Sequence, residues 1–276
     1  MKLHVMPDPE RYERMTTEEL RGAFLIEDLF AGGQIVLHYL DLERTIVGSA
    51  VPLMSPLILA TAEELRAAYF LERRELGILV VSGKGTVTAD GKTFEMDTLD
   101  CLYVGRGTKE VRFASADPAH PAQFYLLSYP VHTAYPTALA CKKDAAAVRL
   151  GAQETLNKRT IYKYIHEGGI RSCQLVMGFT ELEAGSGWNT MPPHTHARRS
   201  EIYLYFKLPA DGRVIHLMGP PQETRHLVVA DKQVTVGPSW SIHAGMGTQN
   251  YTFCWGMGGE NQAFDDMDAV AVGGLR

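Results

Sequence analysis

Along most of this chain apolar and polar residues alternate with the two-residue period of half-buried strands. Short runs at 34–40, 76–81, 86–89, 111–113, 123–127, 161–165, 173–179, 202–206, 214–218, 226–229, 233–236 and 252–255 are rich in Val, Ile, Leu, Tyr and Phe, with Gly, Pro, Asp or Asn between them. So many short strands at near-regular spacing predict an all-β protein of sandwiches or barrels. Asp90-Gly91 predicts a tight hairpin turn, because a type I′ turn needs positive φ at both central residues. Thr16-Thr17-Glu18-Glu19 and Thr61-Ala62-Glu63-Glu64 each place a Thr three residues before a Glu, the register of a capping box. The first continues as Leu20-Arg21-Gly22-Ala23-Phe24-Leu25 and predicts a short N-terminal helix.

The β pattern lapses at 133–153, where Ala and Lys replace β-branched residues. A linker there divides the chain into 1–135, a linker at 136–155, and 156–276. The two halves resemble each other. Glu75-Leu76-Gly77-Ile78-Leu79-Val80 matches Glu201-Ile202-Tyr203-Leu204-Tyr205-Phe206, and Tyr103-Val104-Gly105-Arg106-Gly107-Thr108 matches His243-Ala244-Gly245-Met246-Gly247-Thr248. The expectation is a duplicated β-barrel.

Composition narrows the partners. With 27 Lys+Arg against 32 Asp+Glu, a net charge of −5 and no long basic run, the chain lacks the electrostatic footprint of a nucleic-acid binder. The longest apolar stretch, 51–60, is broken by Pro52 and Pro56 and falls short of the ~20 residues that cross a bilayer. No signal-peptide pattern opens the sequence, so a cytoplasmic location is expected. Cys101, Cys141, Cys173 and Cys254 stand at irregular spacings and read as small buried apolar residues.

The chemistry concentrates at Pro192-Pro193-His194-Thr195-His196-Ala197-Arg198-Arg199-Ser200-Glu201, with His243 some forty residues on. Side chains alternate across a strand, so His194 and His196 point to one face. A turn at 198–200 lets Glu201, Tyr203 and Tyr205 share it. His-x-His-x4-Glu with a distant His is the spacing of a cupin metal site, in which three imidazoles and a carboxylate leave positions for substrate or water. Carried back to the first half, the same offsets place Ala68, Phe70 and Tyr103 where His194, His196 and His243 stand, and keep only Glu75. One metal ion per chain, in the second half, is therefore expected. His4, His38, His120, His132, His166, His216 and His226 have no such register.

At these residues the chain resembles the 5-keto-4-deoxyuronate isomerase family of bacterial pectin degradation. The resemblance extends through His38-Tyr39-Leu40-Asp41-Leu42-Glu43-Arg44, Phe70-Leu71-Glu72-Arg73-Arg74-Glu75, Arg159-Thr160-Ile161-Tyr162-Lys163-Tyr164-Ile165-His166, and Trp255-Gly256-Met257-Gly258-Gly259-Glu260-Asn261 followed by Asp265-Asp266-Met267-Asp268. It implies a double cupin barrel, one Zn2+ per subunit held by His194, His196, Glu201 and His243, a homohexamer, and a cytoplasmic ketol-isomerase. The implied reaction converts 5-dehydro-4-deoxy-D-glucuronate to 3-deoxy-D-glycero-2,5-hexodiulosonate. A cation suits this aldose–ketose step as a Lewis acid toward the carbonyl, while a general base moves a proton between neighbouring carbons. Glu223 and Lys163 are candidate bases, and Tyr203 and Tyr205 candidate relays, with no choice among them. The substrate carboxylate calls for an Arg fork; Arg199 and Arg225 are the candidates, Arg73 standing opposite Arg199 in the first half, and Gln174 is a further lining residue. A metal-dependent cupin dioxygenase and a non-enzymatic sugar-binding cupin are the alternatives.

Overall fold

The computed structural model describes residues 1–260 and 266–276. Asn261 and Asp265, part of the strings quoted above, lie outside the described residues. The chain is built almost wholly of strands and separates into two compact units. The first comprises Met1–His4, Asp28–Ala145 and Tyr164–Val176; the second comprises Val5–Glu27, Ala146–Lys163 and Met177–Arg276.

In the first unit a seven-stranded sheet runs in the order Lys2–His4, Ile35–Leu40, Ile46–Ala50, Gln123–Pro130, Arg74–Ser82, Cys101–Val104, Ala138–Ala140. A four-stranded sheet runs Leu57–Ile58, Val111–Ser115, Gly85–Ala89, Lys92–Met96. One core joins them, with Leu76, Ile78 and Val80 from the large sheet meeting Val87, Phe94 and Phe113 from the small one. The hairpin expected at Asp90-Gly91 is present, with φ of 45° and 82° at the two turn residues.

The second unit repeats the plan. Its seven-stranded sheet runs Ala146–Leu150, Arg159–Ile165, Val176–Leu182, Thr252–Gly259, Arg199–Phe206, Val234–Gly237, Leu25–Ile26. Its three-stranded sheet runs Arg225–Val229, Val214–Gly219, Ile242–Gly247. The N-terminal helix Thr17–Phe24 belongs here, with the expected capping box formed by Thr16 and Glu19. It buries Leu20 and Phe24, the latter edge-on to Trp240.

Three expectations need correction. Thr61-Ala62-Glu63-Glu64 yields only the 3-10 turn Glu63–Leu65 without a side-chain cap, ended by Arg66 at φ 46°. The stretch read as a linker holds two edge strands, Ala138–Ala140 and Ala146–Leu150. Every residue of the latter is exposed, which is why no burial alternation marks it.

The third correction concerns the repeat, whose register is one residue off. In the second unit Glu201 pairs with Gly237, the last residue of its neighbouring strand; in the first, Leu76 pairs with Val104, the last residue of the equivalent strand. Leu76 also faces the core, whereas Glu75 and Tyr103 lie on the opposite face, where a one-residue slip must put them. The counterpart of Glu201 is therefore Leu76, and that of Arg199 is Arg74. His243 stands on Ile242–Gly247, whose counterpart is Val111–Ser115 rather than the strand of Tyr103.

Candidate metal centre and its cavity

His194 opens the short strand His194–Thr195, which is held by Asp268–Ala269, and His196 follows it directly. Glu201 lies on Arg199–Phe206 of the large sheet and His243 on Ile242–Gly247 of the small one. Their ligand atoms all lie within 4.8 Å of one another. His196 Nε2 and His243 Nε2 are 3.0 and 2.9 Å from Glu201 Oε2, and His194 Nε2 is 3.0 Å from His243 Nε2. His196 Nδ1–H donates to the Arg199 carbonyl at 2.9 Å. That bond fixes the tautomer, so in neutral His196 an acceptor nitrogen faces a carboxylate oxygen. Two acceptors at hydrogen-bond distance need a proton or a cation between them, and the outward Nδ1–H bond is the usual support of a metal-ligating imidazole. The set of three imidazoles and one carboxylate therefore fits a divalent first-row metal.

The electrostatics agree. Burial, with the neighbouring His243 second, pulls the His194 imidazole down to about 3 and keeps it an unprotonated donor. Desolvation opposes the charged form of His196, but its hydrogen bond to Glu201 and the carboxylate charge outweigh this and raise it. Burial likewise opposes the Glu201 carboxylate, which the facing imidazoles His243 and His196 nonetheless hold well below the usual range.

Beside the cluster lies a cavity of about 300 Å³. Strand alternation selects its lining: Arg199, Glu201 and Tyr203 from one strand, Phe253, Trp255 and Met257 from the next, and Arg159, Ile161 and Lys163 from a third. Trp255 Nε1–H donates to Thr180 Oγ1 at 3.1 Å, which steadies the wall. Tyr203 OH lies 2.9 Å from Thr190 Oγ1, and burial holds its phenol protonated far above neutrality.

The other sequence-derived candidates divide. Lys163 and Tyr203 line the cavity. Tyr205 sits behind it: its OH accepts from Asn189 Nδ2 and lies 2.7 Å from Nδ1 of buried His216. Glu223 is exposed on the turn between Val214–Gly219 and Arg225–Val229 and is not among the lining residues. Arg225 is committed elsewhere, donating to the carbonyls of Met15 and Glu13. Gln174 belongs to the first unit, where its side-chain amide donates to the Pro130 carbonyl. Arg199 does line the cavity, but its guanidinium is 2.6 Å from Asp266 and the side chain is almost wholly buried.

Sequence reasoning passed over Arg159, Thr190, Trp255 and Asp266. Arg159 was within reach: it stands four residues before Lys163 with the same strand parity. Asp266 was signalled only by the need of a buried arginine for a counter-charge.

Comparison with known proteins extends over the whole chain. A protein of Caldicellulosiruptor bescii named 4-deoxy-L-threo-5-hexosulose-uronate ketol-isomerase is 50% identical over 276 residues, covering 100% of both chains. A protein of the same name from Kineococcus radiotolerans is 52% identical over 279 residues, again covering 100% of both. Among solved structures, an IolB-like protein from Salmonella typhimurium superposes with a TM-score of 0.72 at 14% identity, covering 90% of this chain and 96% of that one. Oxalate decarboxylase from Lactobacillus farciminis gives 0.62 at 10% identity, covering 90% and 88%. At such low identity these two establish the fold alone, an all-β cupin-like architecture. The KduI/IolB family profile matches residues 29–272. With relatives identical at half of all positions from end to end, the chain belongs to the KduI/IolB family.

Proposed function

We propose that this chain is a metal-dependent 4-deoxy-L-threo-5-hexosulose-uronate ketol-isomerase. The observation that carries the reading is full-length identity of 50–52% to relatives of that name, in a chain where His194 and Glu201, two of four residues whose donors could hold a metal ion, line a cavity with Arg159, Lys163 and Arg199. A cation held by His194, His196, Glu201 and His243 would supply Lewis acidity to the substrate carbonyl. The reading takes that cation to be zinc, one per subunit, in a cytoplasmic homohexamer serving pectin-derived uronates, as the family resemblance implies.

In an aldose–ketose isomerisation the C–H of the hydroxyl-bearing carbon is lost as a proton, the hydroxyl proton passes to the aldehyde oxygen, and a proton returns to the former aldehyde carbon. Apart from the cluster and the two arginines, Lys163 and Tyr203 are the titratable groups among the described lining residues. Lys163 is assigned the carbon-to-carbon transfer. Tyr203, kept protonated by burial, is assigned hydrogen-bond donation to a substrate oxygen. The reading assigns no role to Glu223, which is not among the described lining residues of the cavity.

The reading is tested by incubating the purified protein with the hexosulose uronate and following ketose formation by NMR, with and without chelator. Turnover abolished by chelator and restored by zinc is expected; no turnover at full metal loading overturns it. In deuterated water the new hydroxymethyl carbon should acquire deuterium at early conversion. Lys163→Met should lower kcat by about a hundredfold, within the ordinary range for a lost general base, and Glu223→Gln should leave it unchanged. Near-native turnover in Lys163→Met removes that residue from the proton path.

A further inference from the structure

A uronate carries a carboxylate at the end of the carbon chain remote from its aldehyde. On the ketol-isomerase reading, which this inference presupposes, the cavity needs a cation that is not already satisfied by a protein carboxylate. Arg199 is paired with Asp266, and Arg225 is bonded to backbone carbonyls outside the cavity. Arg159 lines the cavity, has no carboxylate partner among the described residues, and is bonded through one guanidinium nitrogen to the Asn157 carbonyl at 2.7 Å.

We propose that Arg159 is the specificity residue that anchors the terminal carboxylate of the substrate. Its remaining N–H groups form the planar fork that matches a carboxylate with two parallel bonds, which the point charge of a lysine does not provide. Position supports the assignment. The strand of Arg159 is separated from that of Glu201 by Val176–Leu182 and Thr252–Gly259, so three interstrand steps of ~4.8 Å put roughly 14 Å between the strand axes. With C–C bonds of about 1.5 Å, an extended six-carbon chain covers about 6 Å. The side chains of Arg159 and of the metal-ligating cluster reach inward to take up the rest. Burial disfavours the charged form of Arg159, as expected of a guanidinium awaiting an anion. The first unit supplies a control: the equivalent strand Ile35–Leu40 turns Ile35, Leu37 and Tyr39 inward, against the core, and carries no cation on that face.

The test compares the uronate with its primary amide, which has the same length and no charge. Arg159→Met should raise KM for the acid about tenfold to a hundredfold, the value of one or two charge-assisted bonds. It should leave kcat within about threefold and metal content per chain unchanged, and shift KM for the amide less than twofold. Arg159→Lys, which keeps charge and stem but loses the fork, should fall between. An unchanged KM for the acid, or a rise of equal size for acid and amide, overturns the assignment and marks Arg159 as structural. Should Arg159→Met not fold, the acid-to-amide ratio of Arg159→Lys decides by the same criterion. Failure of the wild type to turn over the uronate at all would instead refute the isomerase reading.

Discussion

The two halves of this molecule fold alike and fill their interiors with opposite chemistry. On the inner face of equivalent strands the first half carries Arg74, Leu76, Ile78 and Val80, and the second carries Arg199, Glu201, Tyr203 and Tyr205. Where the first presents Ile35, Leu37 and Tyr39, the second presents Arg159, Ile161 and Lys163. The first interior closes on itself as a hydrophobic core. The second cannot, because its inward polar groups need partners, and a cavity remains beside the imidazole cluster. A barrel thus becomes a site by substitutions on one strand face, with the backbone plan retained.

Two glutamates make the contrast sharper. Glu201 is gathered with three imidazoles into a cluster whose donor atoms could hold a metal ion. Glu75, one residue out of step and on the opposite face, accepts from the backbone N–H groups of Cys173, Gln174 and Leu175 at 2.7–2.9 Å and from Tyr103 OH at 2.8 Å. One carboxylate faces imidazoles and the other a loop of backbone N–H groups.

If that contrast is right, the largest effect belongs to the second half. Glu201→Gln or His243→Ala should lower activity by at least about a hundredfold and remove most bound metal, beyond the 10–100-fold typical of lost outer-shell support. Far-UV circular dichroism should remain native, since the sheets and not the ligands hold the barrel. Stoichiometric metal in His243→Ala would break the comparison.

The first half should respond in stability instead. Glu75→Ala removes the acceptor of two part-buried backbone N–H groups, of the buried Leu175 N–H and of the buried Tyr103 OH, and should cost about 3–5 kcal/mol, read from the denaturant midpoint. Metal content per folded chain should not change. A cost below about 1 kcal/mol would mean that solvent satisfies those donors equally well.

The smallest effect concerns His38, buried and 2.8 Å from His4. Burial, with His4 second, holds its imidazole down to about 4, against ~6.5 unfolded. The unfolded chain therefore binds more protons between these values, and the stability present above pH ~6.5 is lost as pH falls toward 4. Between pH 7 and 5 the loss should be about 1 kcal/mol after allowance for screening. His38→Gln should flatten it; an unchanged slope would locate the acid sensitivity elsewhere.

Much of this was legible in the residues. The His-x-His-x4-Glu run announced the cluster because strand alternation and a tight turn convert spacing directly into convergence. The repeat was visible too, but its register was not: Glu75 aligns with Glu201 by identity, and only the pairing of Leu76 with Val104 shows which face each takes. Glu223 and Arg225 misled because sequence proximity to a barrel strand does not say whether the following turn bends toward or away from the cavity. Gln174 misled because the chain passes into the first unit at Tyr164–Val176. Arg159 escapes the sequence reading because the strand run predicted there begins at 161, two residues after it.

The short pairing of His194–Thr195 with Asp268–Ala269 widens what counts as the metal centre. Val270 N–H donates to the Pro193 carbonyl at 3.0 Å, and Asp266 neutralises the arginine whose carbonyl orients His196. His194 and His196, two of the four candidate ligands, are thus steadied by residues 266–270, a segment that supplies none of the four. On the metal-dependent reading proposed above, a lesion in this segment would leave every donor intact and weaken the hold on the ion. Inspection of ligand residues alone would pass such a variant as functional.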